Sequence, residues 1–237
     1  EDLWSDLYGK TILWAGDELA QGFATLSESV SAMKPTVVAV PGAGFASKFT
    51  DRVIAQLDGQ NGEYLVIAGY PADAKQSVPA GAVAAEGNLS GFDTATYAGA
   101  MEELFLVVAG GFDGKKIAYV FPAADGADLS AYHAVAKAAC AKWRIPFIDL
   151  YGENYSTNEA MYQVIKEELA ELTAYNALSI PGYSVENVLT ARLENLVGDG
   201  VTPATNADAL VEKLSQLDRE FETLEDYKAD LRKHMQE

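Results

Sequence analysis

A single cysteine, Cys140, in 237 residues excludes an internal disulfide and a thiolate metal cluster. Its helical surroundings, AYHAVAKAACAKW, mark it as a small buried apolar residue. Histidine is nearly as scarce: only His133 and His234 are present. Cations are outnumbered, with 17 Lys and Arg against 35 Asp and Glu, for a formal charge of −18. A surface of that sign repels phosphate backbones, so no nucleic-acid partner is expected. No apolar run reaches the length needed to span a bilayer, and no signal peptide is visible, so no membrane insertion is expected. The first residue is Glu1 rather than Met, which suggests a piece of a longer protein.

About half of the residues are apolar, with many Ala, Gly and Val, so the chain should bury a sizeable core. Five short segments are apolar throughout: TILWA (11–15), TVVAV (36–40), EYLVIAG (63–69), KKIAYVFP (115–122) and PFIDLY (146–151). Continuous rather than alternating apolarity suits strands covered on both faces, hence a parallel sheet. Helical patterns lie between them, at about 18–30, 45–58, 93–110 and 128–143. Strand–helix–strand repetition predicts an α/β fold, a doubly wound parallel five-stranded sheet flanked by helices. Two more helices should follow. Ser156 with Glu159 reads as a capping box for the first, and Ser184 as the cap of the second.

The C-terminal segment has a different period. Leu210, Leu214, Leu217, Phe221, Leu224, Leu231 and Met235 fall on a 3.5-residue repeat, with Lys228 at the remaining seam position. So narrow an apolar stripe needs a partner. The expectation is an α/β domain over 1–208 and a coiled-coil helix over 209–237 that self-associates, with the first two turns packed on the domain.

In a doubly wound sheet, function gathers at the carboxyl ends of the strands. The loops expected there contain GDELAQG (16–22), PGAG (41–44), AGYPAD (68–73) and, near the C-terminus, DGVTP (199–203). In this order, together with WRIPFIDLY (143–151), these blocks resemble the SGNH (GDSL-type) hydrolases, mostly esterases and deacetylases of lipids and carbohydrates. The resemblance runs over about residues 9–215. It implies a nucleophile at position 18, oxyanion donors at 42 and 72, and an Asp–His pair at 199 and 202. Gly42 and Asp199 keep the pattern. Glu18, Ala72 and Thr202 stand where the family has Ser, Asn and His.

Residue chemistry points the same way without the family. Acyl transfer needs a nucleophile with a base in hydrogen-bond reach. His133 reads as mid-helix, far from any strand-end loop, and His234 lies on the terminal heptads. Neither should serve the turn at Glu18. Asp17, Glu18, Asp73 and Asp199 should share one rim, which leaves three readings. They could bind a hard cation or work as an acid/base pair on a glycoside. Alternatively, Asp17 and Asp199 satisfy their own loops while Glu18 and Asp73 face water. Tyr70, Phe45, Tyr151 and Tyr155 could form a sugar platform or lids on the core.

The sequence therefore reads as a catalytically inactive SGNH-like module, structural or glycan-recognising, with no metal and no cofactor. Its expected setting is a larger oligomeric protein of a cell surface or a phage tail or fibre. Ligand contacts are expected at Asp17, Glu18, Tyr70, Asp73 and Asp199. The alternative is a diverged carbohydrate esterase that uses the acidic rim.

Overall fold

The computed structural model describes residues 6–46, 62–123 and 128–184. The segment expected to be helical at 45–58 falls almost entirely outside the described residues. So do the helix after Ser184, Asp199, Thr202, His234 and all the heptads.

Five strands form one sheet: β1 (Thr11–Gly16), β2 (Lys34–Ala39), β3 (Tyr64–Ala68), β4 (Lys116–Phe121) and β5 (Phe147–Asp149). Their spatial order is β2-β1-β3-β4-β5, and every pairing is parallel. Among the described residues, the helices are α1 (Glu18–Ser31), the single turn α2 (Ala72–Lys75), α3 (Tyr97–Gly111), α4 (Ser130–Lys142) and α5 (Asn158–Glu171). A 3-10 turn covers Ala177–Ser179.

The two faces of the sheet are separate cores, as the pleat requires. Ile12, Trp14, Tyr64, Val66, Ala118, Val120 and Ile148 pack under α1 and α5. Leu13, Ala15, Leu65, Ile67, Ile117, Tyr119 and Phe121 pack under α3 and α4. Trp14, Phe23 and Tyr162 are fully buried on the first face, and Tyr97, Phe105 and Trp143 on the second. Each contributes about 1.5–3 kcal/mol by leaving water. Their polar atoms are matched: Trp14 Nε1 donates to Ser27 Oγ at 3.2 Å, and the Tyr162 and Ser31 hydroxyls lie 2.9 Å apart.

Helix starts follow local capping. The Asp17 side chain caps α1, and Thr96 caps α3 by accepting from Gly99 N at 3.1 Å. Helix α3 begins four residues later than its apolar pattern suggests. Asp93 first makes its own turn, with its side chain accepting from Ala95 N and its carbonyl from Thr96 N. The expected Ser156–Glu159 capping box is corrected by one residue. Thr157 is the cap, accepting from Ala160 N at 3.2 Å. Glu159 then sits at the second helical position, where its side chain cannot close a box.

A long connection, residues 76–96, lies over the α3–α4 face and is fastened by a buried ion pair. Glu102 and Lys142 are 1% and 5% exposed at their side chains and bond each other directly. Glu102 also accepts from Ala84 N at 2.8 Å and from Trp143 Nε1 at 3.3 Å, and Lys142 donates to Asn88 O at 2.7 Å. Both charges of this buried pair are thus partnered, as burial demands.

Candidate functional site

The carboxyl ends of β1, β2 and β3 bring the first three sequence blocks together. Strand β1 ends at Gly16, against Ala39 of β2 on one side and Ala68 of β3 on the other. Three acidic side chains from these loops meet backbone N–H groups of neighbouring loops.

Asp17 is 1% exposed. Its Oδ1 accepts from Leu19 N and its Oδ2 from Tyr70 N, both at 2.8 Å. One carboxylate therefore caps α1 and ties down the loop after β3. Close approach needs a glycine beside it. A Cβ on Gly69 would sit 3.2 Å from Asp17 Cγ. Burial, aided by the nearby Glu18 charge, pushes the Asp17 carboxyl up to about 6, against the pull of the Leu19 and Tyr70 N–H groups and of its own backbone N–H.

Asp73, in α2, has no exposed surface. Its Oδ2 accepts from Phe45 N at 2.6 Å and its Oδ1 from Ala46 N at 2.9 Å, so it holds the loop after β2. A Cβ on Gly44 would lie 2.5 Å from the Asp73 carboxylate, which accounts for glycine at that position. Burial raises this carboxyl as well. The expectation that Asp73 faces water is overturned: two donors compensate its desolvation.

Glu18 is exposed, yet its Oε2 accepts from Gly42 N at 2.8 Å. The position that the family resemblance makes a nucleophile thus reaches the backbone donor that the resemblance makes part of an oxyanion hole. Gln76 Nε2 donates to the Gly42 carbonyl at 3.3 Å. Ala72 is buried at the start of α2 and presents a methyl group where an amide donor is implied.

Together the three carboxylates engage five backbone N–H groups, at Leu19, Gly42, Phe45, Ala46 and Tyr70. That corrects the image of an open acidic rim. Asp17 and Asp73 are turned inward with both oxygens engaged, so these two carboxylates do not face outward as an acid/base pair on a glycoside would. Among the described residues, no group of three or more His, Cys, Asp or Glu could hold a metal ion. The sugar platform is corrected in part. Phe45 is a core residue, 7% exposed and edge-on to Tyr97 at 5.4 Å. Tyr70, Tyr151 and Tyr155 are half-buried against the two cores. Beneath Phe45, the Tyr97 and Tyr119 hydroxyls lie 3.1 Å apart, and burial drives both phenols well above their usual range.

His133 stands elsewhere than its sequence pattern suggests. It occupies the first turn of α4, and its Nε2 lies 2.9 Å from both oxygens of Asp149 at the end of β5. Its ring stacks on Tyr151 at 4.6 Å and meets Phe121 edge-on. The imidazole is therefore at a strand-end rim, contrary to expectation. The reason is general: a crossover helix starts at the carboxyl end of the preceding strand, so its first turn belongs to that rim. Three strand spacings, about 14 Å, separate β5 from β1, and the His133–Asp149 pair is distinct from the contacts at Glu18.

A scan against protein-family models gave no match, and a search of curated proteins gave none. Among solved structures, the chain is similar to a crystal structure of a Lactobacillus plantarum protein determined as a structural-genomics target. The identity is 14% and the TM-score 0.54, with 68% of this chain and 95% of that chain covered. The likeness concerns the α/β fold. No helix among the described residues is long and apolar enough to cross a membrane.

Proposed function

We propose that this chain is a catalytically inactive SGNH-like domain that serves as a structural or glycan-recognition module of a larger oligomeric protein. The single observation that supports inactivity most is the Glu18–Gly42 contact. A carboxylate at the nucleophile position occupies the donor that would otherwise stabilise an oxyanion. An anion already held there opposes the build-up of a second negative charge, and losing one such donor typically costs about 10²–10³ in rate. The methyl group of Ala72 supplies no substitute. His133, the histidine among the described residues, is bound to Asp149 near the sheet's other edge.

The module's mechanical role rests on the same contacts. Among the described residues, the loops after β1, β2 and β3 are laced to one another through side-chain carboxylates, without any ligand. Assembly through Leu210, Leu214, Leu217, Phe221, Leu224 and Leu231, in a surface or phage tail or fibre protein, belongs to the same reading and rests on the heptad pattern alone. The test is hydrolysis of short acetyl and butyryl esters by the full chain and by Glu18→Gln. No turnover above buffer in either protein is the expected result. Turnover by the native chain that disappears in Glu18→Gln would establish the diverged esterase instead.

A further inference from the structure

We propose that Asp17 is a proton-operated fastener: ionised, it ties the loop after β3 to the first turn of α1, and on protonation it releases the Tyr70 N–H while keeping its hold on α1. The geometry divides the carboxylate between two elements. Each carboxylate oxygen faces one N–H, Oδ1 at Leu19 and Oδ2 at Tyr70, both at 2.8 Å. A proton on one oxygen makes that oxygen a much poorer acceptor, so the N–H bond it takes is weakened while the other oxygen keeps its own.

The two bonds are unequal. Leu19 N lies two residues away, inside the first turn of α1, where the aligned peptide dipoles favour electron density. Tyr70 N lies 53 residues away in sequence, on a loop, without that support. The proton therefore settles on Oδ2, and the Tyr70 tether is lost.

The surroundings favour uptake of the proton. The carboxyl is buried, Gly69 packs against it, and among the described residues the titratable groups around it do not offset its charge. Glu18 on the same turn is a like charge. Tyr119 of β4, whose phenol is raised by burial and further by the Asp17 and Asp73 charges, is neutral. On the loop after β3, the Lys75 ammonium lies 5.9 Å from the centre of the Tyr70 ring. Burial leaves the Asp17 carboxyl at about 6, so the change falls in mildly acidic solution.

A distinguishing signature follows from the sign of the linkage. The folded-state value lies above the ordinary 3.8. Proton uptake therefore favours the folded chain over the unfolded one, and the loop loosens locally without global unfolding.

The experiment is amide hydrogen exchange on the full chain, corrected for intrinsic rates, with the Asp17 carboxyl carbon shift followed by NMR over the same pH series. Between pH 7 and pH 5, protection of the Tyr70 amide should fall about tenfold with the midpoint of the carboxyl titration, while Ile67 in β3 stays protected. In Asp17→Asn, whose amide mimics the protonated acid, Tyr70 should exchange fast at both pH values. If that variant does not fold, the native titration decides alone. Tyr70 protection that stays constant while Asp17 titrates would overturn the proposal. So would a carboxyl that remains ionised down to pH 4.5.

Discussion

Replacing Asp73 by Ala tests how strongly the loops at the carboxyl end of the sheet depend on internal carboxylates. The Asp73 side chain is wholly buried, and its two oxygens take the N–H groups of Phe45 and Ala46 at 2.6 and 2.9 Å. Truncation leaves both donors without that acceptor. Each buried unsatisfied group costs about 1–3 kcal/mol. Water entering the vacated volume recovers part of that, so the net loss should be about 3 kcal/mol. For a domain of this size, that corresponds to a fall in melting temperature of about 6–12 °C. Asp73→Asn keeps one acceptor oxygen and turns an amide N–H₂ toward the other donor, so it should lose about half as much. The assay is urea unfolding at pH 7, monitored by tryptophan fluorescence and by far-ultraviolet circular dichroism to check two-state behaviour. Asp73→Ala within 0.5 kcal/mol of the native chain would refute the reasoning, as would Asp73→Asn losing more than Asp73→Ala.

Three further outcomes are expected. Lys142→Met should cost about 3–5 kcal/mol in chemical unfolding, because it leaves the Glu102 carboxylate buried without its cation. The double change Glu102→Leu with Lys142→Met should be less destabilised than Lys142→Met alone if the orphaned charge is the cause. Gly44→Ala should destabilise, since its new Cβ would meet the Asp73 carboxylate at 2.5 Å, and combining it with Asp73→Ala should relieve part of the loss. The Asp17 carboxyl is raised in the folded state to about 6 from 3.8. Its stabilising contribution is therefore fully present below pH 3.8 and lost as pH rises through 6, amounting to about 3 kcal/mol. Relative to Asp17→Asn, the native chain should gain stability between pH 7 and pH 4.5, and a constant difference would contradict this.

Much of the fold is legible in the residues because parallel strands buried on both faces leave an unmistakable pattern. Past their first residues, Thr11 and Glu63, the stretches ILWA (12–15) and YLVIA (64–68) have no polar position to place on a wet face, and both are central strands. Edge positions blur the signal. Lys34 and Pro35 open β2 although neither resembles a strand residue, since an edge strand tolerates an exposed cation and a missing donor. At the candidate site, the sequence places Asp17, Glu18, Gly42 and Asp73 on one rim but does not say which way their side chains turn. Asp73 lies among Ala, Pro and Lys in PADAK and looks solvent-facing. Its burial depends on Gly44, a residue 29 positions earlier with no side chain to obstruct it. The Glu102–Lys142 pair joins residues 40 apart on two helices and leaves no local mark. His133 was recoverable in principle. Its place in the first turn of a helix that follows a strand is enough to put it at the carboxyl rim.

The contact that matters most is the one between Glu18 Oε2 and the Gly42 amide. The most direct measurement is the amide proton shift and exchange protection of Gly42 in the native chain and in Glu18→Ala. A hydrogen bond to a carboxylate holds this proton downfield and slows its exchange, so the account predicts an upfield move and faster exchange in the variant, with the Ile67 amide in β3 unchanged. The same Gly42 shift and protection in both proteins would contradict it.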